Sequence, residues 1–322
     1  STHCISSAAS DVYKRQPAIL LLGFIPMLLV ALGYRALNTR VPDSGTSFTW
    51  ATHAFGPYVG WMGGWGLIAA SVIVLSNLAA VAVDFTFLLL AQITGSQAIA
   101  DLAGNLWVNI PLTLVYLALA GWISHRGMET TKHLQYILVA FQILALGAFA
   151  VAALTQSSRG AGFDPTPVQL DWFNPFTAGD FSVVAAGVSL SIFLFWGWDV
   201  TLTMNEETKD PERTPGRAAA VTVFVIIAVY ILSALAVISW AGIGSEGLGA
   251  GNPDNQESIF AVLAGPILGP FAVIMSSAIL VSSLASLQST MVSPARTLLA
   301  MGFYRAVPAR FAELLSLIHI SE

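Results

Sequence analysis

Charge is what this sequence has least of. Asp, Glu, Lys and Arg make up 10% of its 322 residues, where a soluble domain carries about 25%. Hydrophobic residues make up 56%. So few charges cannot cover a water-facing surface, which excludes an ordinary soluble fold and predicts an all-α polytopic membrane protein. Cysteine is nearly absent too: Cys4 alone rules out an internal disulfide framework. No HExxH or CxxC stretch occurs, so zinc hydrolysis has no support, and no metal, cofactor or nucleic-acid partner is expected. His53, His125 and His133 fall in polar segments, and His3 and His319 near the ends. The net charge of −5 decides little, because orientation depends on where Lys and Arg sit.

Long apolar runs, by contrast, are plentiful. A membrane helix needs about 20 mostly apolar residues, and segments 17–36, 59–90, 106–124, 134–155, 181–205, 218–243 and 266–292 qualify. The second is long enough to tilt or to extend past the bilayer. Arg35 at the end of the first segment and Arg40 just past it precede the second, Arg126 and Lys132 lie between the third and fourth, and Lys209, Arg213 and Arg217 between the fifth and sixth. Arg296, Arg305 and Arg310 follow the seventh. The alternate loops, 91–105, 156–180 and 244–265, hold only Arg159 among basic residues. The bias predicts that 37–58, 125–133, 206–217 and the segment after 293 are cytoplasmic. Loop 156–180, rich in Gly and Pro, reads as an outer connector, with a lid as the alternative.

The two ends are set apart from the fold. Asp11–Gln16 (DVYKRQ) and Leu315–Ile320 (LSLIHI) can be encoded by strings that are reverse complements of each other. They resemble a transposase end used in preparing sequencing libraries. Residues 1–16 and 315–322 are therefore expected to be adapter read-through, and the rest a fragment.

One segment departs from a plain membrane helix. In FLFWGWDVTLTMNEETKDPERTPGR, 193–217, Gly197 stands between Trp196 and Trp198, and Asp199 follows at once. Glycine and an acid at membrane depth predict a broken helix, because freed backbone groups must face protein, a cavity or a ligand. An intramembrane carboxylate is itself a functional-site hypothesis. The opposing reading of Gly197 is close helix packing, and that of Asp199 is an N-cap for the second half-helix.

Three stretches carry a resemblance to a known family: VPDSGTSFTWATHAFGPYVGWMGGWG at 41–66, FWGWDVTLTMNEETKDPERTPGRA at 195–218 and, more weakly, SPARTLLAMGFYRAVPARF at 293–311. They resemble the loop between the second and third helices, the sixth helix with its Glu-Glu, Pro and Arg-rich loop, and the loop after the eighth helix of the amino acid–polyamine–organocation permeases. The resemblance implies part of a leucine-transporter-type fold of inverted five-helix repeats. Residues 17–155 would hold helices two to five, 156–180 an outer loop and 181–314 helices six to eight.

It also implies roles for residues. Gly197 matches the unwound point of the sixth helix, where solute meets exposed backbone. Phe193, four residues earlier, matches an aromatic gate, with a lipid- or core-facing ring as the alternative. Trp196 and Trp198 flank the break, and Asp199 matches an acid whose protonation helps gating in some relatives. Asn77, seven residues before Asp84 and so on one face with it, is a candidate solute contact on the third helix. Glu206 and Glu207 are expected to pair with Arg40 in an inner gate, against the alternative of a solvated linker. The serines of the seventh segment, Ser276 to Ser289, read as packing glue. Some proton-coupled members carry a Lys seven residues after a Gln near the start of helix five. Here that position is Gln142, which leaves exchange or coupling through Asp199.

The function expected is secondary active transport of an amino acid or related amine, by proton-coupled symport or exchange, in a prokaryotic plasma membrane. A seven-helix receptor or other non-transport membrane protein is the alternative. A retinal pump needs an intramembrane Lys, whereas Lys132 and Lys209 lie in loops. An enzyme would need converging His or acid clusters, and only Asp84 and Asp199 fall at depth.

Overall fold

The computed structural model describes residues 13–125, 128–175, 181–205, 208–255, 258–308 and 311. They are helical, with no strand among them. The elements are α1 (Gln16–Arg40), α2 (Ser47–Phe55), α3 (Pro57–Thr94), α4 (Gln97–Ala100), α5 (Leu106–His125), α6 (Met128–Ser158), α7 (Phe181–Leu194), α8 (Val200–Thr203), α9 (Thr214–Ala241), α10 (Ile259–Leu268) and α11 (Ala272–Phe303). Among the described residues six helical stretches are long and apolar enough to cross a bilayer, and Val184–Leu194 adds a shorter apolar helix. Each of the seven apolar segments read from the sequence overlaps one of these, the fifth only the shorter helix.

Three differences have physical causes. The stretch 37–58, expected to be a cytoplasmic loop, is not loop throughout: α1 runs on to Arg40, and α2 occupies Ser47–Phe55. At 9 residues α2 is too short for a span, so the length criterion passes it over. The last segment begins earlier than expected, at Ile259, and breaks between α10 and α11 at Gly269-Pro270. Gly265-Pro266 carries the same punctuation but stays helical. Finally, the stretch 181–205 is two helices with a turn between them.

The chain forms two compact units. The first comprises Ser1–Val30, Ile143–Trp196 and Val221–Ser276. Within it, Phe24 packs edge-on to Phe224 (5.4 Å between centroids) and against Phe195 (6.1 Å). The loop after α6 is tied to the end of α9. Phe163 and Thr166 donate backbone N–H groups to Trp240 and Ser239, and Ser157 Oγ donates to the Ser239 carbonyl at 2.7 Å. Trp240 Nε1 donates to Gln156 Oε1, and Trp172 is buried. The described part of this loop is thus a pinned connector. The G-x-G-x-x-G spacing at Gly242–Gly247 also lies in this unit, after a helix instead of a strand, so it lacks the setting of a dinucleotide turn.

The second unit comprises Ala31–Gln142, Gly197–Ala220 and Ser277–Glu322. Leu75 and Ala79 of α3, Ala120 of α5 and Leu287 of α11 form one buried cluster. Phe48, Ala300 and Met301 form another beneath α2. Tyr58, Trp61, Met62 and Trp65 stay exposed at the start of α3, the amphipathic anchoring expected where a helix enters a bilayer interface. Near the end of α1, Asp43 organises a corner. Its Oδ1 accepts from Gly45 N and Thr49 Oγ1, both at 2.7 Å, and its Oδ2 from Tyr304 OH at 2.9 Å. Glycine is required at 45: a Cβ there would meet Ala300 Cβ at 2.8 Å and Asp43 Oδ1 at 2.9 Å.

Candidate functional site

The helix that begins at Phe181 stops at Leu194, and helical winding resumes only at Val200. Gly197 is the cause. Its φ of +117° lies where only glycine is comfortable, and among the described residues a Cβ built on it would meet nothing within 4 Å. Close packing therefore does not account for this glycine. The break leaves main-chain groups to be matched. On the first unit's side, Tyr230 OH donates to the Leu194 carbonyl at 2.9 Å, and the buried Phe195 ring packs 5.6 Å from Tyr230. Tyr230→Phe is expected to lower the melting temperature by a few degrees, since about 1 kcal/mol attends the lost hydrogen bond. A scan in detergent checks this.

On the second unit's side the backbone is loosely wound. Val200 N reaches Gly197 O at 3.4 Å and Thr201 N reaches Trp198 O at 3.3 Å. Among the described residues the N–H groups of Gly197 and Trp198 find no main-chain acceptor. At 4 residues α8 is a single turn, so it carries little macrodipole. What the break offers an anion is peptide N–H groups that have no main-chain acceptor among the described residues.

The expected residues fall as follows. Phe193, on the last turn of α7, is 58% exposed, and its ring lies 6.0 Å from that of the half-buried Trp196. Trp198 is 3% exposed and stands edge-on to Tyr34 at 5.2 Å. Tyr34 in turn packs on Trp50 at 5.1 Å and shares a 2.9 Å hydrogen bond with Ser47 Oγ. Asp199 is half-buried at the N-cap position of α8 but makes no side-chain cap hydrogen bond, so the capping alternative is not realised. Asn77 is exposed on α3, and on the same helix Asp84 accepts from Asn109 Nδ2 at 3.2 Å. Arg40 is exposed at the end of α1 and makes no ion pair among the described residues. Glu206 and Glu207 lie outside the described residues.

The structure also displays groups that sequence reasoning passed over: Tyr34, Asn38, Asp43, Asn205 and Tyr230. Asn38, Asn205 and Tyr230 each meet a partner far along the chain, and Tyr34 and Asp43 combine near partners with distant ones at Trp198 and Tyr304. The available signal was the cost of burying an amide or phenol without a partner.

A multi-pass helical membrane protein with a glycine-centred interruption in one span is thus the class these features define. The chain belongs to the amino acid permease family, whose model matches residues 9–316, and the family has the leucine-transporter-type fold. It is similar to the branched-chain amino acid permease BcaP of Lactococcus lactis, 27% identical over 240 residues, which cover 70% of this chain and 47% of that protein. It is also similar to the human large neutral amino acids transporter small subunit 2, 24% identical over 298 residues, covering 92% and 52%. The low-affinity putrescine importer PlaP of Escherichia coli K12 is 25% identical over 226 residues, covering 67% and 45%. The chain spans about half the length of the curated relatives it matches. These relatives are transporters by name, not enzymes.

Proposed function

We propose that this chain is the greater part of the solute pathway of a secondary transporter for an amino acid or related amine in a prokaryotic plasma membrane. The observation that carries the reading is the interruption at Gly197. Peptide N–H groups without a main-chain acceptor inside an apolar span are costly in hydrocarbon, and the carboxylate of an amino acid satisfies them; an amine without a carboxylate would have to be held by the other groups of the site. In this reading Gly197 and Trp198 present main-chain donors, Phe193 and Trp196 cover the solute, and Asn77 contacts it from α3. Asp199 carries the coupling proton, and Arg40 with Glu206 and Glu207 closes the inner side. Access alternates as one helix bundle rocks against the other. The names of the relatives add support for amino acids or amines as cargo, leucine being both branched-chain and large neutral.

The test is uptake of radiolabelled leucine and putrescine by the full-length protein in proteoliposomes, with and without a pH gradient. Accumulation of either, competed by unlabelled solute, is expected. A folded preparation that takes up neither overturns the reading. Asp199→Asn is expected to abolish the response to the pH gradient, and a response unchanged in that variant removes the coupling role.

The orientation has its own check. A membrane-impermeant maleimide added to intact cells is expected to label Arg159→Cys, and to label Lys209→Cys only after permeabilisation. Both positions are exposed. The reverse pattern inverts the topology.

A further inference from the structure

Two asparagines that have no part in the proposed solute contacts are buried more completely than any residue of the break except Phe195. Asn38, on the last turn of α1, is 0% exposed, and Asn205, two residues past α8, is 1% exposed. Asn205 Nδ2 donates to Asn38 Oδ1 at 2.6 Å. Asn38 Nδ2 donates onward to the Pro211 carbonyl at 2.7 Å, and Asn205 Nδ2 also lies 3.4 Å from the Asp43 carbonyl. Asn205 Oδ1 is buried with no partner among the described residues. A buried amide is tolerated only when matched, so this pair acts on whatever it joins. It joins three things within the second unit: the end of α1, the charged loop at Pro211, and the end of the rewound segment 198–205. That segment is held at two further points, by Trp198 against Tyr34 and by Thr201 Oγ1 donating to the Pro215 carbonyl at 3.3 Å. Four-residue α8 has too few internal hydrogen bonds to hold its own place. Its position must come from these anchors.

We infer that the Asn38–Asn205 amide pair is a positioning clasp that sets the register of the rewound segment, and with it the main-chain donors of the break, and that transport requires it. The functional half of this inference rests on the transport reading above. Asn38 occupies the key place, since it accepts from one partner and donates to the other. An aspartate there still accepts from Asn205 when ionised, but it sets its second oxygen against the Pro211 carbonyl, acceptor to acceptor. Once protonated, it can accept from Asn205 and donate to Pro211, as the amide does.

The experiment measures wild type and Asn38→Asp at about pH 8 and about pH 5.5 in the full-length protein, by thermal unfolding and by leucine and putrescine uptake, each normalised to wild type at the same pH. The acidic value brings a carboxyl group of raised affinity into its titration range. The expected result is a reversible gain on acidification in both readouts, with relative uptake recovering about tenfold. Asn38→Leu, which can neither accept nor donate, is expected to gain nothing at either pH. If Asn38→Asp shows the acid-restored stability but its uptake keeps to the wild-type pH profile, the pair is structural only and the inference fails. If neither readout moves, there is no clasp. If wild type transports neither solute, the transport reading falls with the inference's functional half, and unfolding still decides whether the clasp exists.

Discussion

Gly197→Ala is expected to reduce uptake by about tenfold or more, and Gly197→Leu to abolish it, with the protein still reaching the membrane. The argument is conformational. Among the described residues nothing lies within 4 Å of a Cβ at this position, so an alanine methyl meets no obstacle. The penalty comes from φ +117°, a region where a residue bearing a Cβ is strained by about 1–3 kcal/mol. An alanine relieves that strain by letting the chain move toward ordinary helical or extended geometry. Either movement re-aims the N–H groups of Gly197 and Trp198. Leucine adds bulk directed into the open space beside the break. Radiolabelled uptake, scaled to the amount of protein at the surface, measures the effect. Wild-type uptake by the alanine variant would end the assignment of this turn to the solute.

The second large effect is expected at Asp43. Asp43→Ala removes acceptors from Gly45 N, Thr49 Oγ1 and Tyr304 OH together. The half-buried corner that they close also holds Thr46 at φ 41°, an unfavourable conformation that persists only because its surroundings enforce it. Hydrogen bonds to a carboxylate are worth more than neutral ones, so about 2–4 kcal/mol is at stake. That corresponds to a fall in melting temperature of about 5–10 °C. Tyr304→Phe, which removes one of the three donors, is expected to cost a fraction of this. Burial, then the hydrogen bond and charge of Asp43, push the Tyr304 phenol above its ordinary value of 10.0. A raised value means that its stabilising contribution is complete below about pH 10 and fades as pH climbs through the folded value. The Tyr304–Asp43 hydrogen bond is therefore expected to keep its phenol donor across the neutral range and to lose it in strong alkali. Equal melting temperatures for wild type and Asp43→Ala would refute this account of the corner.

Much of the fold was legible because a bilayer imposes one rule on every span. Runs such as 218–243 declare themselves by length and apolarity, and α9 occupies that place. The break was legible for the same reason: Gly197 followed by Asp199 contradicts the rule where it matters. What stayed hidden depends on contacts between distant residues. Nothing local marks Asn38 as the partner of Asn205, or Tyr230 as the donor to Leu194, since each pairing is created by helices meeting in space. α2 was hidden by its shortness, and the start of α10 by two Gly-Pro pairs that look alike in sequence, only one of which interrupts the helix. The brevity of α8 was equally unreadable, because Val200 to Thr203 gives no sign of where winding stops.

The ring of Trp198 has a practical consequence. It is sealed from water beside the interruption, edge-on to Tyr34, with its indole N–H lacking an acceptor among the described residues. An indole in so dry a setting emits at short wavelength, and acquiring an acceptor or a solvent molecule shifts that emission to the red. With the other tryptophans replaced by phenylalanine, Trp198 becomes a built-in fluorophore beside the interruption, and if the proposed solute site lies there, a leucine titration is expected to change its colour.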